Sequence, residues 1–188
     1  MTYLKEIRLH GRGGQGAVLG AEILVIAAVS EGKHSQMIPA FGFERRGAPV
    51  ESYVKMDNNP ITLRTLVHEP DCVAVLDPTL QKAVKVTDGL KEKGIIVLND
   101  KRNPEDIDIG LTGVKIATVD ATNIALKTLG LPITNTAILG ALSAATNWVK
   151  LESVLNAIKK RFPEKLITKN VEATKLAFEQ TRIKDIIK

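Results

Sequence analysis

At 188 residues the chain has the length of one domain with room for a sizeable core. Hydrophobic residues at 44% and charged residues at 25% are ordinary for a soluble globular protein. The net charge of +5 is spread along the chain and aromatics reach only 4%, so there is neither a dense basic block nor a stacking platform, and no nucleic-acid partner is expected.

In chain order, Met1 leads into KEIRLHGRGG with no signal-peptide pattern. No apolar run reaches the ~20 residues of a membrane span, so a cytoplasmic setting without a membrane partner is expected. Residues 4–10 read as a strand that enters a glycine loop. Residues 17–29, AVLGAEILVIAAV, carry one charge, Glu22, and are apolar nearly all round, which predicts a buried helix. Glu31-Gly32-Lys33 is its stop signal. Residues 34–50, HSQMIPAFGFERRGAPV, hold two prolines and two glycines and read as a loop. Residues 49–56 alternate like a half-exposed strand. Asp57-Asn58-Asn59-Pro60 reads as a turn into a second strand, ITLRTL, an antiparallel hairpin added to the sheet.

Three similar runs follow: residues 71–77 (DCVAVLD), 94–100 (GIIVLND) and 113–120 (GVKIATVD). Their nearly continuous apolar character predicts strands covered on both faces. The single cysteine, Cys72, sits in the first and reads as buried packing; it excludes an intrachain disulfide and a cysteine-ligated metal or iron–sulfur site. Residues 78–93 and 121–129 read as helices and 101–110 as a loop. Three more helices are expected over 135–149, 151–161 and 163 to about 180. Strands alternating with helices imply an α/β fold: a Rossmann-like layered domain over 1–188 with a mostly parallel sheet, a possible antiparallel hairpin and a helical C-terminus.

Gly11, Gly13 and Gly16 satisfy the G-x-G-x-x-G spacing between a predicted strand and a predicted helix. Without Cβ atoms the backbone can approach a phosphate, and the free N–H groups and dipole of the helix favour an anion. Gly11, Arg12, Gly13, Gly14, Gln15 and Gly16 are therefore the candidate binding loop, with Arg12 able to add a charge-assisted contact. The same glycines also serve a tight strand-to-helix turn that holds no ligand. A dinucleotide fingerprint would add an acidic residue about 20 positions on, at the end of a second strand. Here a loop stands in that place, and a Walker lysine followed by Ser or Thr is missing too. Arg45 and Arg46, between Gly42 and Gly47 and beside Phe41 and Phe43, suit an anion or an acidic partner surface; a solvated loop is the alternative. His10, His34 and His68 show no metal-ligand spacing and no nearby nucleophile motif. Asp77, Asp100 and Asp120 close predicted strands; helix capping accounts for Asp77 and Asp120 as well as a ligand crevice does.

GRGGQG, followed some 25 residues later by AFGFERRGAPV, resembles the gamma subunit of the pyruvate:ferredoxin oxidoreductase group of 2-oxoacid:acceptor oxidoreductases. That domain also occurs inside fused forms. The resemblance runs through NTAILGAL (residues 135–142) and the helical tail, and FERRGAPV is closer to pyruvate or branched-chain members than to 2-oxoglutarate members. It implies oxidation of a 2-oxoacid with coenzyme A and ferredoxin to acyl-CoA, carbon dioxide and reduced ferredoxin, or the reverse. Thiamine diphosphate with magnesium and [4Fe–4S] clusters would serve that reaction. One cysteine cannot ligate a cluster, and no G-D-G motif followed by paired asparagines is present. The resemblance thus implies that alpha, beta and delta-type subunits hold those cofactors and pass electrons to ferredoxin. This chain would hold no metal and no catalytic residue, and would shape the active-site rim and contact coenzyme A. Two other readings use the same loop: a stand-alone nucleotide-binding enzyme, and a flavin-dependent or regulatory α/β module.

Overall fold

The computed structural model describes residues 3–40, 47–62 and 64–186. Strand β1 (Lys5–Arg12) leads through the glycine loop into helix α1 (Ala17–Ser30). Strands β2 (His34–Ala40), β3 (Pro49–Asp57) and β4 (Cys72–Val75) follow, then a one-turn helix, α2 (Leu80–Ala83), and β5 (Ile95–Asn99). A short 3-10 helix (Pro104–Asp106) precedes β6 (Val114–Val119). Helices α3 (Ala121–Leu129), α4 (Asn135–Thr146), α5 (Leu151–Arg161) and α6 (Glu164–Gln180) come next, and β7 (Arg182–Ile186) ends the described chain.

The seven strands form one sheet in the order β2-β3-β1-β4-β5-β6-β7. β1, β4, β5 and β6 are parallel neighbours, while β3 and β7 run against them. β2 pairs antiparallel with β3, so five strands share one direction. This is the expected layered α/β fold with a mostly parallel sheet. Alternate residues serve the two faces, as a strand requires. Ile7, Leu9, Cys72, Ala74, Val97 and Val119 meet α1, α4 and the helices behind them. Val73, Val75, Ile96, Leu98 and Ile116 face the other way, against Leu80, Val86 and Ile107. The expectation of strands covered on both faces holds, but helices thicken only one. Among the described residues, no helix is long and apolar enough to cross a membrane.

Three local expectations fail. Residues 34–40 are not loop but an edge strand; Pro39 is tolerated there because an edge strand does not need every N–H. The antiparallel partner of β3 is accordingly β2, and ITLRTL forms no strand among its described residues. Instead its Thr65 hydroxyl accepts from Lys55 Nζ at 3.0 Å. The helix expected over 78–93 shrinks to α2. Arg8, 7% exposed, donates to the carbonyls of Val86 and Asp88, which a continuous helix would keep for its own ladder. Gly89 at φ +68 and the β-branched Val84, Val86 and Thr87 oppose a helix as well. The helical C-terminus is as expected, with α6 ending at Gln180, and β7 then pairs with β6 beyond it.

The C-terminal helices cross closely. A Cβ at Gly140 in α4 would collide with the carbonyl oxygen of Thr174 in α6, and that is rigid backbone. Alanine gains about 1 kcal/mol in helix propensity, but overpacking at such a contact costs about 3 kcal/mol. Gly140→Ala should therefore lower stability by about 2 kcal/mol in urea denaturation. A stabilised variant would show that the crossing can widen.

Candidate functional site

Chain leaving β1 turns to the helix-rich face through α1. Chain leaving β4 turns to the opposite face, where Leu80 packs. β1 and β4 are parallel neighbours, so their carboxyl ends part at a topological switch point, where open α/β sheets place ligands. The glycine loop lies there.

The loop is held from inside. Gln15 Oε1 accepts from Arg12 N at 2.8 Å, and Gln15 N donates back to Arg12 O at 2.9 Å. Gln15 Nε2 then donates to Asp77 Oδ2 at 2.6 Å, and Arg12 Nε lies 3.3 Å from the same oxygen. The other oxygen of Asp77 accepts from Thr79 N at 2.8 Å and from the Thr79 hydroxyl at 2.5 Å. Arg12 Nη2 donates to that hydroxyl at 2.8 Å. Burial alone would raise the Asp77 pKa. The Thr79 hydroxyl, the Gln15 amide, the Thr79 N–H and the Arg12 guanidinium outweigh it and hold the carboxyl below its usual range. Two of the predicted binding side chains, Arg12 and Gln15, thus point into the crevice and fill it. A dinucleotide would have to displace an ion pair to enter.

The positive φ values fall on Gly14 (+94) and Gly16 (+79) and not on Gly13. Gly16 caps α1, and a Cβ there would meet Nδ2 of Asn135, the first residue of α4, at 2.5 Å. Gly11 sits inside β1 against Ala17. Gly13 continues the β1–β3 ladder: its N–H donates to Ala48 O at 2.8 Å, and its carbonyl accepts from Gly47 N at 3.1 Å. Arg12 Nη1 also donates to Gly47 O at 3.0 Å. The two motifs, separate in sequence, therefore meet as paired strands. Arg45 and Arg46 lie outside the described residues.

Arg12 also faces outward, lining a cleft beside Gly13 and Gly14. Gly14 is exposed, with nothing within 4 Å of where its Cβ would lie. An open cleft of about 370 Å3 runs from Gly13 and Gly14 past Val18 and Val50 to Glu22 and Arg161. The last two pair at 2.8 Å. This volume is at the small end of ligand pockets and suits a phosphate-sized group, with the rest of a larger ligand left to another surface.

The remaining polar candidates are structural. Asp120 caps α3 by accepting from Asn123 N, and Asp100 pairs with Arg102 at 2.7 Å, which lowers its pKa. Of the three strand-end aspartates, only Asp77 meets the loop. His10 is 3% exposed; Arg8 donates to its Nε2 at 3.0 Å, and Glu51 Oε1 lies 3.4 Å from its Nδ1. Burial overrides the Glu51 carboxylate and holds its pKa near 4, so the ring is neutral. Cys72 is fully buried, which pushes its thiol pKa up. Among the described residues no three His, Cys, Asp or Glu side chains gather to hold a metal. One cysteine in the sequence does not fit an iron–sulfur cluster. Sequence reasoning passed over Asn135 and Arg161, which only tertiary packing brings to the loop; NTAILGAL was the one available pointer to Asn135.

The pyruvate ferredoxin/flavodoxin oxidoreductase family matches residues 6–180. Over 183 residues the chain is 54% identical to the pyruvate/ketoisovalerate oxidoreductases common subunit gamma of Pyrococcus abyssi, covering 96% of this chain and 99% of that one. It is 49% identical over 175 residues to pyruvate synthase subunit PorC of Methanothermobacter thermautotrophicus, covering 93% and 94%. The crystal structure of pyruvate oxidoreductase subunit PORC from Thermotoga maritima aligns with a TM-score of 0.83 at 36% identity, over 97% of this chain and 99% of that one. A 2-oxoglutarate:ferredoxin oxidoreductase from Magnetococcus marinus, solved with 2-oxoglutarate, coenzyme A and succinyl-CoA, shares the fold alone. It aligns at TM-score 0.77 and 17% identity, over 98% of this chain and 32% of its own.

The Asp77 cluster has a pH signature. Its folded carboxyl titrates below the unfolded one, so its stabilisation is complete above the unfolded pKa of about 3.9 and is lost as pH falls through the folded value. Asp77→Asn should cost about 2 kcal/mol at neutral pH. In denaturation curves the gap from the parent chain should close below about pH 4. A gap unchanged down to about pH 3 would remove the ionised carboxylate from the account.

Proposed function

Since this chain belongs to the pyruvate ferredoxin/flavodoxin oxidoreductase family, we propose that it forms one wall of a catalytic centre whose cofactors other subunits hold. It is a gamma subunit of a 2-oxoacid:ferredoxin oxidoreductase of the pyruvate synthase type. In this proposal residues 1–188 act as a single gamma-type domain in the cytoplasm, a compartment that suits one buried, unpaired thiol. Alpha, beta and delta-type subunits complete the enzyme and deliver electrons to ferredoxin. Thiamine diphosphate with magnesium and the [4Fe–4S] clusters supply carbon–carbon cleavage and electron transfer, and belong to those subunits because this chain lacks the donors.

The observation that carries the reading is the pairing of Gly13 with Gly47 and Ala48. It seats the chain segment that continues from Arg45 and Arg46 beside the glycine loop at the switch point. In the proposal the two arginines meet the anionic groups of coenzyme A, and the exposed backbone at Gly14 lets a phosphate approach the first turn of α1. Arg12 and Gln15 position this wall through Asp77 and leave the ligand to the backbone.

Two outcomes test it. The isolated chain should show no 2-oxoacid-dependent reduction of a viologen dye; turnover by pure chain would overturn the subunit reading. In enzyme assembled with its partner chains, Arg45→Ala with Arg46→Ala should raise the coenzyme A KM roughly ten- to hundredfold, and less so at high salt. Unchanged coenzyme A kinetics and unchanged assembly would reduce FERRGAP to a surface loop.

A further inference from the structure

α1 has 14 residues and one charge, yet the fold covers only part of it. Ala21, Leu24 and Ala28 face the core. Val18, Glu22, Val25 and Val29 follow one another at helical spacing along the opposite edge, with Leu19 and Ile26 beside them. They are half-buried or exposed, and Val29 is 52% exposed. Leu19, Val25 and Ile26 lean partly against the core, but a helix with no polar face belongs inside a structure, so the outer side of this edge is only partly covered.

α5 packs beside α1 and frames the edge with cations. Arg161 stands at the cleft by the glycine loop. Lys150, Lys159 and Lys160 stand around a second open cleft, of about 900 Å3, at the Ser30 end, together with Glu152 and with Glu31, which pairs with Lys33 at 2.6 Å, so the cleft stays cationic on balance. Among the described residues, these three lysines have no carboxylate within ion-pair distance. A second copy set against this face would oppose lysines to lysines. An apolar surface rimmed by Asp and Glu would satisfy both the strip and its frame.

We propose that the outer edge of α1, from Val18 to Val29 with its α5 frame, docks a different subunit of the same oxidoreductase, through an apolar patch with an acidic rim. The inference rests on the subunit reading above and adds where the partner sits.

The test uses the chain assembled with its partner subunits. Amide hydrogen exchange in α1 should slow on assembly, a readout that needs no variant. Val29→Asp, and separately Lys159→Glu with Lys160→Glu, should leave the free chain folded and raise the dissociation constant at least roughly tenfold. Added salt should weaken the parent complex and not the lysine variant. Unchanged dissociation constants in both variants, or α1 exchange that is the same free and assembled, would overturn the proposal. So would self-association of the free chain that protects α1. A parent chain that joined no partner subunit would overturn the subunit reading and this inference with it.

Discussion

One carboxylate at the end of β4 organises the carboxyl edge of the sheet. Asp77 takes the Gln15 amide and the Arg12 guanidinium on one oxygen, and the hydroxyl and N–H of Thr79 on the other. It is partly buried, and a buried carboxylate needs every one of these partners, because an unpaired charge in that place is far more costly than a lost surface contact. Chain leaving β1 and chain leaving β4 diverge to opposite faces at this point. Asp77 joins them where otherwise an open crevice would form.

The glycine loop owes its character to that constraint. Gln15 is turned inward, and the outer surface is formed by Arg12, Gly14, the start of α1 and the strand pairing of Gly13 with Ala48. Backbone N–H groups fixed in this way need no reorganisation to meet a developing negative charge. The chain belongs to a family whose members are named as parts of an oxidoreductase.

The unequal faces of the sheet belong to the same logic. Five helices crowd one face, while irregular chain pinned by Arg8 covers the other. The crowded side still leaves an edge of its most apolar helix only partly covered. Covering Val29, which is 52% exposed, would be worth up to ~1.5–3 kcal/mol.

Much of this was legible from residue order. Nearly unbroken apolar runs around Cys72, Ile96 and Ile116 could only be strands buried on both faces, and the apolar run after Gly16 could only be a buried helix, because burial of apolar area is a local property of composition and period. The two motifs carried the family, and the family resemblance is borne out. Partners distant in the chain were beyond reach. Nothing near Val86 announces that Arg8, 78 residues away, will take its carbonyl and end a helix there. Nothing in HSQMIPA shows that an edge position will excuse its proline. Nothing in GRGGQG shows that Asp77 will claim its arginine and glutamine. Such choices are decided by which groups a closed core leaves without water, and only the tertiary structure specifies those groups.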